Sequence, residues 1–322
     1  MHAIQVSQYG GPEVLDYVQM PDPQPGPGQV LIKIGAAGVN YVDVYHRMGR
    51  YPQPLPFTPG LEGAGIVEAT GSNVGDFKPG QRVAWAQVLG SYAEYVLAPS
   101  DRLVPIPDGL EDQIAAALLL QGMTAHMLAK DVFPIQPGQT ILIHAAAGGV
   151  GSLLTQVAKM FGARVLGTTS TEAKAEKARQ AGADEVILYS HMDFESEVKR
   201  LTDGKGVHVV YDSVGATTFE KSLKCLRKRG MLVLFGSASG PAPMLDPNSL
   251  AGMGSLFLTR PSLSHYTAER EELLRRAGEV FQWAIHGQLN VHIHKIYPLG
   301  DAPQAHSDLE DRITSGKLLL VP

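Results

Sequence analysis

Three closely spaced glycines, Gly148, Gly149 and Gly151, are the residues of this chain whose spacing most clearly points to chemistry. An apolar run, 141–143, precedes them, and apolar residues with helical spacing follow over 150–161. Glycine lets the backbone turn sharply and approach a pyrophosphate, and the free N–H groups at the start of the helix can bind the anion. The order strand, glycine turn and helix therefore predicts a dinucleotide site, with a tight turn that binds nothing as the alternative.

The glycine pattern is Ala145-x-x-Gly148-x-x-Gly151, which departs from the strict G-x-G-x-x-G spacing. On its own this motif is weak, because glycine turns between strands and helices are common in α/β proteins. A second strand is indicated at Arg164–Thr168, and the dinucleotide fold requires the next strand to end about 20 residues after the turn. The nucleotide interpretation is therefore favoured over the bare turn.

The end of this second strand predicts which dinucleotide binds. Enzymes that use NAD usually place Asp or Glu there to accept from the ribose 2′-OH. Here the strand runs into Thr168–Ser170, and Glu172 comes only afterwards. Small hydroxyl residues leave room for a 2′-phosphate, and Lys174 and Arg179 follow as candidate cations, unless both are ordinary solvated helix residues. Lys174 falls in the first helical turn, so NADPH is favoured over NADH.

The composition restricts the class of protein. The chain has 322 residues, 44% of them hydrophobic and 18% charged, with a net charge of −5. The isoelectric point is about 6.1, so no global basic field favours nucleic acid or an anionic membrane. With Cys225 as its single cysteine the chain has no disulfide framework, and it has neither a signal-peptide layout nor a long apolar run. We therefore expect a cytoplasmic protein without a membrane partner, and a nucleic-acid partner is not favoured.

The composition and the spacing of apolar residues change along the chain. The first 120 or so residues are rich in Pro and Gly and contain short apolar runs, which is typical of a β-rich or barrel-like domain. Helical spacing begins near Asp112, and we expect it to be interrupted at 121–122. Helices and strands then alternate, which predicts an α/β fold with a doubly wound parallel sheet. We expect the helices at 171–181, 194–202 and 216–228 and the strands at 185–188, 207–211 and 230–235.

The alternation stops near Pro261. The remainder predicts a long amphipathic helix over 267–285, a short strand near 292–297, a helix near 301–314 and a final strand, Leu318–Val321. These elements do not continue the parallel sheet, so we expect them to return to the first domain.

Five segments together resemble one known family, and they occur in its order: Gly10–Leu15, Gly38–Asp43, His144–Gly151, Asp212–Gly215 and Arg260–Leu263. The chain resembles the zinc-free quinone oxidoreductases of the medium-chain dehydrogenase/reductase superfamily, the group that includes zeta-crystallin. The resemblance extends from about Gly10 to the C-terminus. It implies a GroES-like β-rich catalytic domain made of residues 1–121 and 264–322, a central Rossmann NADPH-binding domain of residues 122–263, and a homodimer.

Zinc-containing relatives of the superfamily carry a catalytic Cys in the segment that matches 38–43 and a His in the one that matches 60–62. Here Asn40 stands near the Cys position and Leu61 replaces the His. A structural site of four cysteines is impossible with a single Cys. His292 and His294 could share a strand face, but no neighbouring residues complete a tetrahedral set. We therefore expect no metal.

The resemblance also implies a set of cofactor contacts. Residues near the nicotinamide would be Asn40, Asp43, Tyr45, Thr124 and Met127. The pyrophosphate would lie against Gly148, Gly149, Val150 and Gly151, and the 2′-phosphate against Ser170, Lys174 and Tyr189. The remaining contacts would be Phe235, Gly236, Ser237, Ser239, Pro261, Ser262, Leu263 and Arg312. Arg312 lies beside Glu310 and Asp311, so an ordinary position on a helix surface is its alternative.

Without a metal, hydrogen-bond donors would have to polarise the acceptor carbonyl, and the residues placed there by resemblance are Asn40, Tyr45 and Tyr51. Either tyrosine could relay a proton or simply form an aromatic wall, because a phenol is a poor acid at neutral pH. The expected reaction is NADPH-dependent reduction of a quinone by hydride or single-electron transfer. The alternatives are reduction of the C=C bond of a 2-alkenal or enone and, in another class, a structural or RNA-binding protein that binds NADPH.

Overall fold

The chain, described over residues 1–322 in a computed structural model, divides into two units. The first unit combines Met1–Met123 with Thr267–Pro322, and the second is continuous from Thr124 to Tyr266. None of the helices has both the length and the apolar character that crossing a membrane demands.

The chain before the second unit is mostly strand, as its Pro- and Gly-rich composition predicts. Its elements are β1 (His2–Gln5), β2 (Asp16–Gln19), β3 (Gln29–Val39), α1 (Tyr41–Arg47), β4 (Glu62–Thr70), β5 (Arg82–Ala86), β6 (Tyr95–Pro99), β7 (Leu103–Pro105) and α2 (Asp112–Met127).

The second unit alternates strand and helix. Its elements are β8 (Thr140–Ile143), α3 (Gly149–Met160), β9 (Arg164–Thr169), α4 (Glu172–Gln180), β10 (Glu185–Leu188), α5 (Phe194–Leu201), β11 (Val207–Asp212), α6 (Phe219–Lys224), β12 (Leu226–Leu234), α7 (Pro247–Gly252), β13 (Phe257–Thr259) and α8 (Leu263–Tyr266). The C-terminal segment then adds α9 (Arg270–Ile285), β14 (Ile293–Pro298), α10 (Ala302–Glu310) and β15 (Lys317–Val321).

The sheet of the second unit is parallel throughout, in the order β10-β9-β8-β11-β12-β13. Counted from β8, this is the strand order 3-2-1-4-5-6 of a doubly wound dinucleotide fold. The order reverses between β8 and β11, and at that point the carboxyl ends of the strands and the glycine turn share one edge. The predicted fold class is confirmed.

The large sheet of the first unit depends on β3, whose two halves pair with different strands. Residues 29–33 pair with β6, whereas 37–39 pair with the C-terminal strand β15, with Leu318 opposite Val39. The other strands follow the order β14-β15-β3-β4-β5-β7, and β6 pairs with β3 beside this path. Its core mixes both ends of the chain, since Trp85 and Tyr92 share a buried cluster with Tyr297, Leu318 and Leu320. The C-terminal elements therefore return to the first unit.

Several predicted element boundaries were wrong. The predicted interruption at 121–122 does not occur, because α2 runs through Gly122 without a break. A glycine fits here because a Cβ atom would lie 2.7 Å from Cγ1 of Val280 on α9. The helix predicted over 216–228 is short, ending at Lys224, and β12 begins at Leu226, where it pairs with Val207.

Two further differences lie at the end of the chain. The helix predicted to begin at 267 begins at Arg270. The helix predicted near 301–314 ends at Glu310, so Arg312 lies beyond the helix, with a φ of 58°. Left-handed backbone of this kind is uncommon for an arginine, and it follows the helix end as a C-terminal turn often does.

Candidate active site

Asn40 lies where β3 ends and α1 begins, as the N-cap residue of that helix. Its backbone is extended, and its N–H donates to Oδ2 of Asp43 at 2.8 Å, while the Asp43 N–H donates to the backbone carbonyl of Asn40 at 3.0 Å. These reciprocal bonds fix the angle at which the helix leaves the strand. Two residues predicted to lie near the nicotinamide are thereby held rigidly against each other.

The side-chain amide of Asn40 is fully engaged by protein groups. Its Nδ2 donates to Oε2 of Glu62 at 2.8 Å and to the carbonyl of Gly38 at 3.2 Å. Its Oδ1 accepts from Nζ of Lys317 at 2.8 Å and from Nε2 of Gln121 at 3.1 Å. An amide has two donor hydrogens and one oxygen with two lone pairs, so none is left for another group. In this arrangement the amide holds the site together and cannot polarise an acceptor.

Glu62 and Lys317 form the charged centre of this network. Both side chains have an exposed fraction of 0%, and Nζ of Lys317 donates to Oε2 of Glu62. The other carboxylate oxygen, Oε1, accepts from the backbone N–H of Leu120 at 2.6 Å. A buried ion pair is tolerated only when further hydrogen bonds stabilise its charges, and here both carboxylate oxygens and the ammonium have such partners. The network joins the end of β3, β4, α2 and β15, and sequence reasoning missed both charged residues.

A second buried chain of hydrogen bonds starts at Arg47 and ends at Asp43. Arg47, 1% exposed, bonds through NH1 to Nδ1 of His306 at 3.1 Å and pairs with Glu310 at 2.8 Å. Because a guanidinium can only donate, Nδ1 accepts and the proton of His306 lies on Nε2. That N–H meets the Tyr92 hydroxyl at 3.1 Å, and Tyr92 donates to Oδ2 of Asp43 at 3.0 Å.

Burial shifts the pKa values along this chain in opposite directions. Burial raises the pKa of the Asp43 carboxyl to about 7, against the effects of its hydrogen bonds and of Lys317. Burial, with a smaller contribution from Arg47, lowers the pKa of His306 to about 3. Burial also raises the pKa of Tyr92 well above its ordinary value, with Asp43 adding to the effect. Near neutral pH His306 and Tyr92 are thus uncharged, and Asp43 titrates.

Aromatic side chains surround the C-terminal half of α1. The Tyr45 ring meets Tyr41 and Tyr51 edge to face, with centroid distances of 5.4 Å and 5.3 Å. Tyr45 is buried, whereas Tyr51 is 42% exposed. The guanidinium of Arg50 lies 5.3 Å from the centroid of the Tyr45 ring. The two predicted tyrosines therefore lie together, one buried as a wall and one exposed, and sequence reasoning missed the arginine.

In the second unit, the glycine turn forms as predicted. α3 begins at Gly149, and its N-cap residue Gly148 makes no side-chain cap. Ala145 has a φ of 51°, and a Cβ atom on Gly151 would overlap the carbonyl oxygen of Ala145. Glycine at that position therefore lets the turn fold tightly against the helix. The N-terminal N–H groups of α3 have no capping side chain, which suits an anion.

The end of β9 places the next predicted group. Ser170 follows the strand, and Lys174 lies in the first turn of α4, whose N-cap residue Thr171 accepts from the Lys174 N–H. Tyr189 follows β10, and its backbone N–H donates to the carbonyl of Thr169 at 3.1 Å. The Thr169 hydroxyl is buried and has no hydrogen-bond partner. A buried unpaired hydroxyl is costly, so its position among these residues fits a polar ligand.

A buried network behind the glycine turn was also missed. His144, the residue before Ala145, bonds through Nδ1 to the Thr168 hydroxyl at 2.9 Å and through Nε2 to the Ser222 hydroxyl at 3.0 Å. Ser222 donates to Asp212 at 3.0 Å, and Asp212 also accepts from the N–H groups of residues 214 and 215. This network ties the carboxyl ends of β8, β9 and β11 to α6 and fixes the edge on which a dinucleotide would lie.

The remaining predicted contacts divide between buried and accessible positions. Residues 235–239 follow β12 and are partly exposed, and the Ser239 hydroxyl donates to the carbonyl of Val214 at 2.8 Å. Residues 261–263 follow β13, with Leu263 buried and Ser262 exposed. Met127 is buried in α2, whereas Thr124 is partly exposed. Among the described residues, no group of three or more His, Cys, Asp or Glu side chains could hold a metal ion.

The dinucleotide fit of the second unit rests on three observations. The start of α3 is uncapped, the Thr169 hydroxyl is an orphan, and no acidic residue follows the end of β9 before Glu172. Small hydroxyl side chains and a lysine in the adjoining helical turn suit a phosphorylated ribose better than a free 2′-OH.

Replacing Lys317 with Met should leave the Glu62 carboxylate buried and unpaired. We expect a loss of about 3–5 kcal/mol in the free energy of unfolding, measured by urea titration followed by circular dichroism. The double variant Glu62→Gln/Lys317→Met should recover much of this loss, and Lys205→Met, at an exposed turn, should change little. If the single and double variants are equally stable, the ion pair is not coupled as the geometry indicates.

Asp43 and His306 should contribute to the pH dependence of stability with opposite signs. The raised pKa of Asp43 adds stability that is full below about 3.8 and is lost as pH rises toward about 7. The lowered pKa of His306 adds stability that is full above 6.5 and is lost as pH falls toward about 3. The loss of stability relative to wild type should therefore be larger at pH 5 than at pH 7.5 for Asp43→Asn. For His306→Gln the loss should be larger at pH 7.5 than at pH 5. Urea unfolding of both variants and wild type at the two pH values measures this. If the stability loss changes in the same direction with pH for both variants, the prediction is contradicted.

The comparisons with known proteins agree with this geometry. Residues 26–108 match the family model of the alcohol dehydrogenase GroES-like domain, and residues 149–279 match that of the zinc-binding dehydrogenases. The chain is 45% identical to a quinone oxidoreductase of Pseudomonas aeruginosa over 99% of both chains. It is 42% identical to a 2-haloacrylate reductase of a Burkholderia species over 98% of both.

The solved structure of the Escherichia coli quinone oxidoreductase complexed with NADPH superposes with a TM-score of 0.98, at 41% identity and with 100% of both chains covered. Full-length identity at this level, together with both domain matches, assigns the family. The chain belongs to the zinc-free quinone oxidoreductases of the medium-chain dehydrogenase/reductase superfamily, as its sequence motifs predicted.

Proposed function

We propose that this protein is an NADPH-dependent quinone reductase, which passes a hydride or single electrons from NADPH to a quinone without a metal ion. The observation that carries the proposal is the carboxyl edge of the second unit. There, the start of α3 has no side-chain cap, and Lys174 lies in the helical turn that follows Ser170. Close relatives whose names specify quinone reduction and a related structure that contains NADPH support it.

The residues of the second unit would bind and orient the cofactor. The first-turn N–H groups of α3, at Gly149, Val150 and Gly151, would bind the pyrophosphate. Lys174 would pair with the 2′-phosphate, alongside Ser170 and Tyr189. NADPH, when bound, supplies the reducing equivalents. We propose residues 122–263 as this NADPH-binding domain, and 1–121 with 264–322 as the catalytic domain.

The residues of the first unit would position the acceptor. The rigid start of α1 would hold Asn40 and Asp43 at the nicotinamide, where one oxygen of the buried Asp43 carboxylate, Oδ1, lacks a protein partner. Tyr45 is the buried wall, so the exposed Tyr51 is the better donor to an acceptor carbonyl. A phenol is a poor acid at neutral pH, so water would deliver the proton.

A second candidate function is reduction of the C=C bond of an enone or 2-alkenal. The observation that favours it is the 2-haloacrylate reductase among the relatives, since a haloacrylate is reduced at a conjugated C=C bond. Polarising a conjugated carbonyl requires nearly the same donors in both reactions.

Steady-state oxidation of NADPH, with a benzoquinone, a naphthoquinone and an enone offered separately, tests the proposal. We expect turnover with the quinones to exceed turnover with the enone, and NADPH to be preferred to NADH. Turnover with the enone alone would contradict quinone reduction and support reduction of a C=C bond. Tight NADPH binding without turnover of any acceptor would favour a binding protein.

The Lys174→Ala variant tests the cofactor assignment. We expect the KM for NADPH to rise about tenfold, because a charge-assisted hydrogen bond to the 2′-phosphate is lost, and the KM for NADH to change less than about twofold. Lys177→Ala, on the same helix, is the matched control and should leave both values unchanged. Equal effects of Lys174→Ala on the two cofactors would contradict the assignment.

We also propose that the enzyme is a cytoplasmic homodimer. Its single cysteine is buried, and burial raises the pKa of that thiol to about 12, which fits a protein that uses no disulfide.

For the dimer, the edge strand β13 exposes Phe257 and Leu258 on successive positions. An unpaired apolar edge favours pairing with a second copy, and the mass of the particle in sedimentation tests this.

A further inference from the structure

Arg50 is an exposed cation set against the aromatic cluster of the catalytic unit. It lies in the turn after α1, next to Tyr51, and its guanidinium is 5.3 Å from the centroid of the Tyr45 ring. The ring of Tyr45 in turn contacts Tyr41 and Tyr51 at 5.4 Å and 5.3 Å. A cation over the face of a tyrosine is held at a defined position, so this charge is fixed at the aromatic cluster that includes the exposed Tyr51.

Arg312 adds a second positive charge to the same region. Burial raises the pKa of the Tyr41 phenol and Tyr45 adds to this, whereas Arg312 and Arg50 act to lower it. Both guanidinium groups therefore act electrostatically at the aromatic cluster.

Three acidic residues of the neighbouring elements also bear on this region. Glu310 also acts on Tyr41, but Arg47 binds it at 2.8 Å and forms a neutral pair with it. Asp43 is fully buried and accepts from Tyr92. Of the acidic groups near the aromatic cluster, Glu310 is therefore paired and Asp43 is buried, whereas Asp311 is exposed.

We propose that Arg50, assisted by Arg312, forms a specificity subsite for acceptors that carry a negative charge next to a conjugated carbonyl, such as quinones with an acidic substituent. The inference rests on the proposed quinone reduction and deepens it. Reduction of such a quinone consumes one NADPH and one proton and yields the hydroquinone and NADP⁺. The arginines gain and lose no proton, and they act by attracting and orienting the anionic substituent.

The test compares 1,4-naphthoquinone with 1,4-naphthoquinone-2-sulfonate as acceptors for NADPH oxidation. Because the two quinones differ in intrinsic reactivity, the measured quantity is the ratio of their kcat/KM values in each variant relative to wild type. Arg50→Leu should lower kcat/KM for the sulfonate about threefold to tenfold and change that for the neutral quinone less than about twofold. Arg312→Leu should lower the same ratio by a smaller factor.

Two control variants and a salt measurement separate charge from shape. Arg50→Lys keeps the charge and should retain most of the ratio, while Arg200→Leu, which removes an exposed arginine on α5, should leave it unchanged. In wild type, about 0.5 M NaCl should reduce the ratio, because salt screens charges near the surface. Equal losses for both quinones in Arg50→Leu, or no loss for either, would overturn the subsite alone. Failure of wild type to reduce either quinone would overturn the proposed function and this inference with it.

Discussion

The buried pair of Glu62 and Lys317 is the constraint on which the first unit depends. Two charges removed from water are tolerated because Asn40 bonds to both of them and the Leu120 N–H donates to Glu62, while Gln121 holds the Asn40 amide. These groups come from the end of β3, from β4, from α2 and from the last strand of the chain. The network therefore holds β15 against β3 and fixes the residue that starts α1, so the N- and C-terminal segments form one folded unit rather than two.

The neighbouring chain from Arg47 to Asp43 shows how the same interior accepts titratable groups. Neutral His306 and Tyr92 carry no charge to desolvate, and Arg47 pairs with Glu310. Because Arg47 can only donate, the direction of every bond along the chain is set, and each bond leads toward Asp43. Asp43 also caps α1, so the polar interior and the geometry of the helix depend on one side chain.

The sequence predicted the second unit well because its signals are local. The glycine turn, the alternating strands and helices, and the hydroxyl residues after β9 each lie within a few residues of one another. The errors arose where a distant residue decides. Gly122 was predicted to break the helix, but it is a glycine because Val280 fills the space where a side chain would lie. Asn40 was predicted to donate to the acceptor, but Lys317, Glu62 and Gln121 bind its side-chain amide. No pattern in one chain shows which lysine will be buried against which glutamate.

The structure also shows which residues of this site are held by the fold and which can be substituted. Glu62, Lys317 and Asn40 depend on one another and are buried, so changing any of them disturbs the fold. Arg50 and Tyr51 are exposed and follow a helix whose start is fixed at Asn40 and Asp43. Residues in this turn can therefore change without disturbing the buried networks behind them. Acceptor preference can thus diverge on one scaffold, and the relatives named for quinones and for 2-haloacrylate, at 45% and 42% identity, are consistent with this.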